Sequence, residues 1–289
     1  MWFPSRPVMR LPLFLAAISS LASLAGADET VRIAGSSALV APFVDAAPVL
    51  KNQDIELTVI SDSNTPTAIM GVGSGLCEIG LSTRPLQAAE RATFPDRAMA
   101  ETIIGYQALV FSVSNDVWQA GVRSISKADL VRIYESKMRS WKELGGPERR
   151  IKFYNPEQGK GMWEFFAGWL YGDMRKAPMA ERFEVAGSAE EARNLVEFNG
   201  GSLAILPPSR SETPGVHGLA YRDEKGKVIP ATLDNVRKGL YPISRPIIAV
   251  TAFRPSGAIK KTLDFLISAQ GQELVRKADL VSVLEEQTD

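Results

Sequence analysis

The chain has 289 residues, 45% hydrophobic and 23% charged, with 33 Lys and Arg against 33 Asp and Glu. That length fits one large domain or two modest ones, and the composition excludes whole-chain disorder and collagen-like repeats. Cys77 and His217 are alone of their types, which excludes an intramolecular disulfide and a Cys/His zinc site, and the missing basic excess argues against a nucleic-acid partner.

Residues 1–27 read as a signal peptide. Arg6 and Arg10 give a positive start, and Leu11 to Ala25 is apolar apart from Ser19, Ser20 and Ser23. Ala25-Gly26-Ala27 then offers a small-x-small cleavage site. The apolar run falls short of the ~20 residues that span a bilayer. A mature chain from about residue 28 keeps 31 basic and 33 acidic residues, a net charge of −2. Export to the periplasm is the expectation.

Strands and helices then alternate. Val31 and Ile33 alternate with polar neighbours, and Gly35-Ser36-Ser37 breaks the pattern before a helix at Leu39 to Leu50. Ile55, Leu57 and Val59 show the period of a half-buried strand. Ser61 to Pro66 is a polar turn, Thr67 to Val72 a short helix ended by Gly71, Gly73 and Gly75, and Ile79 to Leu81 a short strand. Ala108 to Val113 is apolar and β-rich. Ser126 opens a helix with Asp129 three residues on, an approximate capping box, and Leu130, Ile133 and Tyr134 form its buried stripe. Met162, Phe165, Phe166, Trp169 and Leu170 mark one face of a helix after Gly161. Leu203 to Leu206 and Ile247 to Val250 are further strands, and Ile259, Leu263, Leu266 and Ile267 give a last amphipathic helix. This alternation predicts an α/β fold with partly parallel sheets.

Three polar turns each come directly after a strand: Gly35-Ser36-Ser37-Ala38, Asp62-Ser63-Asn64-Thr65 and Ser82-Thr83-Arg84. Singly, such Ser and Thr residues are ordinary caps. Together they offer hydroxyls and backbone N–H groups at helix starts, where the dipole favours an anion. Arg84 adds a planar fork suited to an oxyanion. Ligands of open α/β sheets collect at the carboxyl ends of strands, where these turns fall.

At these residues the chain resembles the substrate-binding proteins of phosphate ABC importers. Val31 to Ser37 is similar to the family's opening strand and phosphate loop. Cys77-Glu78-Ile79-Gly80-Leu81-Ser82-Thr83-Arg84-Pro85-Leu86 is similar to its "D-I-G-x-S-S-R-P-L" stretch. Leu130 to Tyr134 with Trp141 to Gly146 resembles "L-x-x-I-F … W-x-x-L-G-G", and Tyr241 to Pro246 resembles "Y-P-I-x-R-P". The resemblance implies a two-lobed periplasmic binding protein of type 2-like architecture, with a ligand cleft between lobes and a hinge crossed by two strands. Lobe 1 would comprise 28–107 plus 243–289, and lobe 2 108–242. It also implies a monomer that binds phosphate or another small oxyanion and delivers it to an ABC permease in the inner membrane, with no cofactor or metal and no catalysis. The implied ligand residues are Ser36, Ser37, Ala38, Ser63, Ser82, Thr83, Arg84, Lys160, Gly161 and Met162.

Two departures stand out. Ala38 replaces the family's Thr after the two serines. Lys160-Gly161-Met162 replaces a "Ser-Gly-Thr" turn that donates two hydroxyls. Lys160 could substitute a charge, while Glu157 would repel a dianion unless it turned to solvent. Another oxyanion or an acidic small molecule therefore stays open. So does a member with altered or lost binding, acting as a sensor, adhesin or assembly protein.

Other chemistries fare worse. Gly159-Lys160-Gly161 lacks the Ser/Thr of a nucleotide loop, and Gly71 to Gly75 opens no long helix. A hydrolase using Ser36 or Ser37 with His217 has no Gly-x-Ser-x-Gly elbow. Cys77 reads as a small buried residue. Trp118, Trp141, Trp163 and Trp169 are dispersed. Arg123, Arg132, Arg139, Arg149 and Arg150 read as a solvated face, or as a docking surface.

Overall fold

In the computed structural model residues 29–158, 161–178 and 183–285 are described. The expected leader at 1–27 and the expected contact Lys160 lie outside them.

The first lobe opens with β1 (Glu29–Ala34), α1 (Ser37–Lys51), β2 (Ile55–Ile60), α2 (Thr65–Ser74) and β3 (Ile79–Ser82). β1 lies between β2 and β3 and runs parallel to both. Leu39, Val40, Phe43, Ala46 and Leu50 bury one face of α1 against the sheet. Gly75, at φ +77°, ends α2 in the left-handed conformation that glycine takes without strain. At Gly80 a Cβ would sit 2.6 Å from the Ala68 carbonyl oxygen, so α2 packs on β3 backbone to backbone. α3 (Ala88–Thr93) and β4 (Ala100–Ala108) come after it.

The Ala108 to Val113 run, apolar and β-rich in sequence, is broken at Leu109. There the chain leaves the first sheet and starts β5 (Val110–Ser114) in the second. α4 (Asn115–Gln119), β6 (Ser124–Ser126) and α5 (Lys127–Tyr134) come next. The capping box of α5 is reciprocal: Asp129 N donates to Ser126 Oγ at 3.1 Å, and Ser126 N donates to Asp129 Oδ2 at 3.1 Å. Then come β7 (Lys152–Pro156), α6 (Gly161–Tyr171), β8 (Glu184–Ala186), α7 (Ala189–Phe198), β9 (Ser202–Leu206) and β10 (Val216–Gly218). The second sheet runs β10-β5-β9-β7-β8. β11 (Ala220–Arg222), β12 (Val228–Ile229) and β6 form a small third sheet, with α8 (Leu233–Arg237) after it.

The α6 stripe is rotated from its expected position. Trp163, Phe166, Ala167 and Leu170 are buried, while Met162, Phe165 and Trp169 are half-buried. Trp163 turns inward because its indole N–H finds a buried acceptor, the Tyr134 hydroxyl at 3.0 Å. Phe165 is left facing the strands that join the lobes.

β13 (Ser244–Thr251) returns between β3 and β4, antiparallel to both, and α9 (Gly257–Ile267) and α10 (Ala269–Lys277) close the first lobe. The crossing segments are fastened to each other. Leu109 N donates to the Ile243 carbonyl at 2.9 Å, and the buried Tyr241 hydroxyl donates to the Leu109 carbonyl at 3.1 Å. The expected two-lobed α/β architecture with two crossing strands is the observed one. No helix among the described residues is long and apolar enough to cross a membrane.

Candidate functional site

Three parallel neighbours in the order β2-β1-β3 must end side by side, so the turns after them converge. They are also bonded together. Gly35 N donates to the Ile60 carbonyl at 3.0 Å, and Ser63 N donates to the Gly35 carbonyl at 3.2 Å. Ser36 and Asp62 form an isolated bridge. Thr83 N donates to Thr65 Oγ1 at 3.2 Å, which ties the third turn to the second. Thr65 was legible only as a turn residue, because its role depends on a partner in another turn.

Donors remain on this rim. Ser36 is the N-cap of α1 in extended conformation, and its hydroxyl makes no capping bond. The Ser37 and Ala38 N–H groups head α1, where no helical acceptor exists for them. Both residues are exposed, and Ser63 is buried between the first two strand ends. Ser82 differs. Its buried hydroxyl donates to the Arg84 carbonyl at 2.5 Å and accepts from Arg84 N at 3.2 Å, which closes its own turn.

Arg84 is engaged within its own lobe. Its Nη1 and Nη2 donate to the two Glu90 carboxylate oxygens at 2.9 and 2.7 Å, and Nη1 also reaches the Pro85 carbonyl at 3.1 Å. The cause is local: the capping box of α3 points Glu90 back at the turn, where its Oε2 accepts from Gln87 N at 2.8 Å. The Arg84 bonds hold the Glu90 carboxyl below its usual range. The fork expected on an anion thus already carries a carboxylate partner.

A different arginine lies at the lobe junction. Arg245 on β13 donates from Nε and Nη2 to Gln107 Oε1 on β4, at 2.9 and 2.7 Å. Its guanidinium lies 4.1 Å from the centre of the Phe165 ring on α6. No carboxylate pairs with it among the described residues. Burial pulls its pKa down to about 10, against the opposing pull of Glu164. Ile248 pairs with Ser82, so Arg245 stands three residues beyond the end of β3, roughly 10 Å along the strand. Phe165 is about one turn from the start of α6. The guanidinium thus lies against the first turns of α6, on a strand that runs on past the carboxyl end of β3. Its place in the "Y-P-I-x-R-P" segment marked the residue, but nothing in the spacing revealed the role.

On the second-lobe side, β7, β8 and β9 run parallel and end together. A small cavity of about 100 Å³ at these ends is lined by Glu157, Met162, Gly187 and Ser188 among others. Gly161 starts α6 here, and Ser188 caps α7 by accepting from Glu191 N at 3.1 Å. Two helix starts meet at this point, of which the sequence alone marks one. Met162 is half-buried and packs on the aromatic core, while Glu157 is exposed.

Residues 22–270 match the family model of the PBP superfamily domain. The chain belongs to the PBP superfamily. Among curated proteins it is similar to the phosphate-binding protein PstS of Borreliella burgdorferi, 24% identical over 268 residues, 89% of this chain and 91% of that one. It is also similar to PstS of Bacillus subtilis, 27% identical over 262 residues, 86% of this chain and 79% of that one. Among solved structures it resembles a possible phosphate binding protein from Planctomyces limnophilus, with TM-score 0.73, 19% identity and coverage of 89% and 94%. It likewise resembles PstS from Borrelia burgdorferi, with TM-score 0.69, 20% identity and coverage of 89% and 100%. These structures share the two-lobed fold.

His217 Nε2 is 3.1 Å from Asn115 Oδ1, and the ring stacks on Trp118 at 4.9 Å, with no serine among its partners. Cys77 is a buried free thiol, and burial pushes its pKa up to about 11.

Proposed function

We propose that this PBP-superfamily protein is an exported solute-binding protein that captures inorganic phosphate, or a closely similar oxyanion, for an ABC importer. The observation that carries the reading is the bonded rim of three turns at the ends of β2, β1 and β3. The names of the PstS relatives favour phosphate over other oxyanions. Ser36, Ser37, Ala38, Ser63 and Thr83 would supply hydroxyl and backbone donors from the first lobe. Gly161 and the amide of Met162 would approach from the second, with Lys160 beside them. Arg245 would supply the charge. Replacing an anion's water with fixed N–H and O–H donors requires no covalent step.

Lobe 1 would comprise 28–107 with 243–289 and lobe 2 108–242, closing because only the closed arrangement lets both touch the ligand. The leader at 1–27 would send a monomer to the periplasm, to meet an inner-membrane permease.

The test is thermal unfolding with phosphate, sulfate and small organic acids. A ligand at a hundred times its dissociation constant stabilises by ~2.7 kcal/mol. A rise with phosphate supports the reading. No rise with any anion overturns it and favours the second reading, a member that has lost tight binding and acts through protein contacts. That alternative rests on Ala38, on Met162, and on Arg84 being bound by Glu90.

A further inference from the structure

A cavity of about 620 Å³ opens beside the crossing segments, and no residue of the three-turn rim lines it. Its walls come from both lobes. Trp118, Arg123 and Arg237 come from the stretch between the crossing segments, and Arg276, Leu280 and Ser282 from the C-terminal stretch after β13. Ion pairing between the lobes borders it, with Arg210 Nε donating to Asp279 Oδ1 at 3.0 Å. Cavities of roughly 300–1,000 Å³ at lobe junctions, mostly apolar with a few converging polar groups, are where small molecules bind.

The charges point to one ligand class. Arg123 lies exposed with its guanidinium 3.9 Å from the centre of the Trp118 ring, donating to the backbone carbonyls of Trp118 and Val122. Arg237 Nε donates to the Ser282 carbonyl at 2.9 Å, and its Nη2 is buried with no hydrogen-bond partner. Neither arginine pairs with a carboxylate among the described residues. Arg276 is already paired, with Glu273. The one acidic side chain on the wall, Glu212, accepts from Gly218 N at 2.9 Å and faces His217. Two uncompensated guanidiniums beside Trp118, Leu233 and Leu280 match an anionic head on an apolar body.

We propose that this cavity is a second ligand site, for an organic anion with an apolar body, held by Arg123 and Arg237 between the two lobes. It is separate from the phosphate reading and does not rest on it.

The probe is 8-anilinonaphthalene-1-sulfonate, which brightens in an apolar site, titrated into the full mature chain. One saturable site is expected. Its neutral analogue N-phenyl-1-naphthylamine should bind at least about tenfold more weakly, since a bond to a charged group is worth that much or more. Arg123→Gln and Arg237→Gln should each weaken the sulfonate by about tenfold or more. Arg139→Gln, away from the cavity, should leave it unchanged, and saturating phosphate should not displace it. Arg123 is exposed, so its variant stays informative if Arg237→Gln folds poorly. Unsaturable binding, equal affinity for the neutral analogue, an unchanged Arg123→Gln variant, or displacement by phosphate would each overturn the proposal.

Discussion

Glu90 grips Arg84 through both carboxylate oxygens, at 2.7 and 2.9 Å, six residues along the chain and at the edge of the three-turn rim. The pair leaves Arg84 little charge to offer a ligand. Arg84→Ala should therefore change phosphate affinity less than about threefold, well below the tenfold or more of a lost charge-assisted bond. Calorimetric titration checks it, and a larger loss would return Arg84 to the site.

The same pair sets an acid dependence. The folded pKa of Glu90 lies below its unfolded value, because Arg84 bonds its ionised form. Its stabilisation is complete above the unfolded pKa and is lost as pH falls through the folded one. For a partly exposed pair the effect is about 1 kcal/mol or less. Urea unfolding between pH 3 and 7 should show Glu90→Gln losing less stability in acid than the parent protein.

Arg245 is the cation expected to matter. Arg245→Gln should weaken phosphate by about tenfold or more, with Arg245→Lys intermediate, because an ammonium keeps the charge but loses the fork and the stacking on Phe165. The unliganded melting temperature should not fall, since removing a buried charge that pairs with no carboxylate relieves desolvation worth more than its contacts with Gln107 and Phe165. A drop in melting with unchanged affinity would make Arg245 a structural residue.

Met162 stands where the resembling family places a hydroxyl. It is half-buried at the start of α6, beside the small second-lobe cavity. Met162→Thr should tighten phosphate by about tenfold, the worth of one added bond to a charged ligand. No change in the titration would mean that the helix start does not reach the anion.

Gly80 fixes the rim from beneath. An alanine Cβ would meet the Ala68 carbonyl oxygen at 2.6 Å, which forces α2 and its turn away from β3. Gly80→Ala should cost about 1–3 kcal/mol in urea unfolding, as overpacked cores do.

The sequence determined the strands β1, β2, β3, β9 and β13, the helices α1, α2, α5, α6 and α9, the capping box at Ser126 and Asp129, and the polar turns after β1, β2 and β3. Those features depend on near neighbours, so period and spacing expose them. They also sufficed for the resemblance to phosphate-binding proteins. The run at Ala108 to Val113 is misleading in sequence, because a hinge between two sheets leaves no break in apolarity. So is the buried face of α6, because Trp163 turns inward to reach Tyr134. Only the tertiary structure decided how Arg84 and Arg245 are partnered. Arg84 is paired by the way α3 folds back, and Arg245 is held by Gln107, 138 residues away. A side chain's charge is available to a ligand only after its own neighbours have taken their share, and those neighbours are chosen by the packing of distant segments.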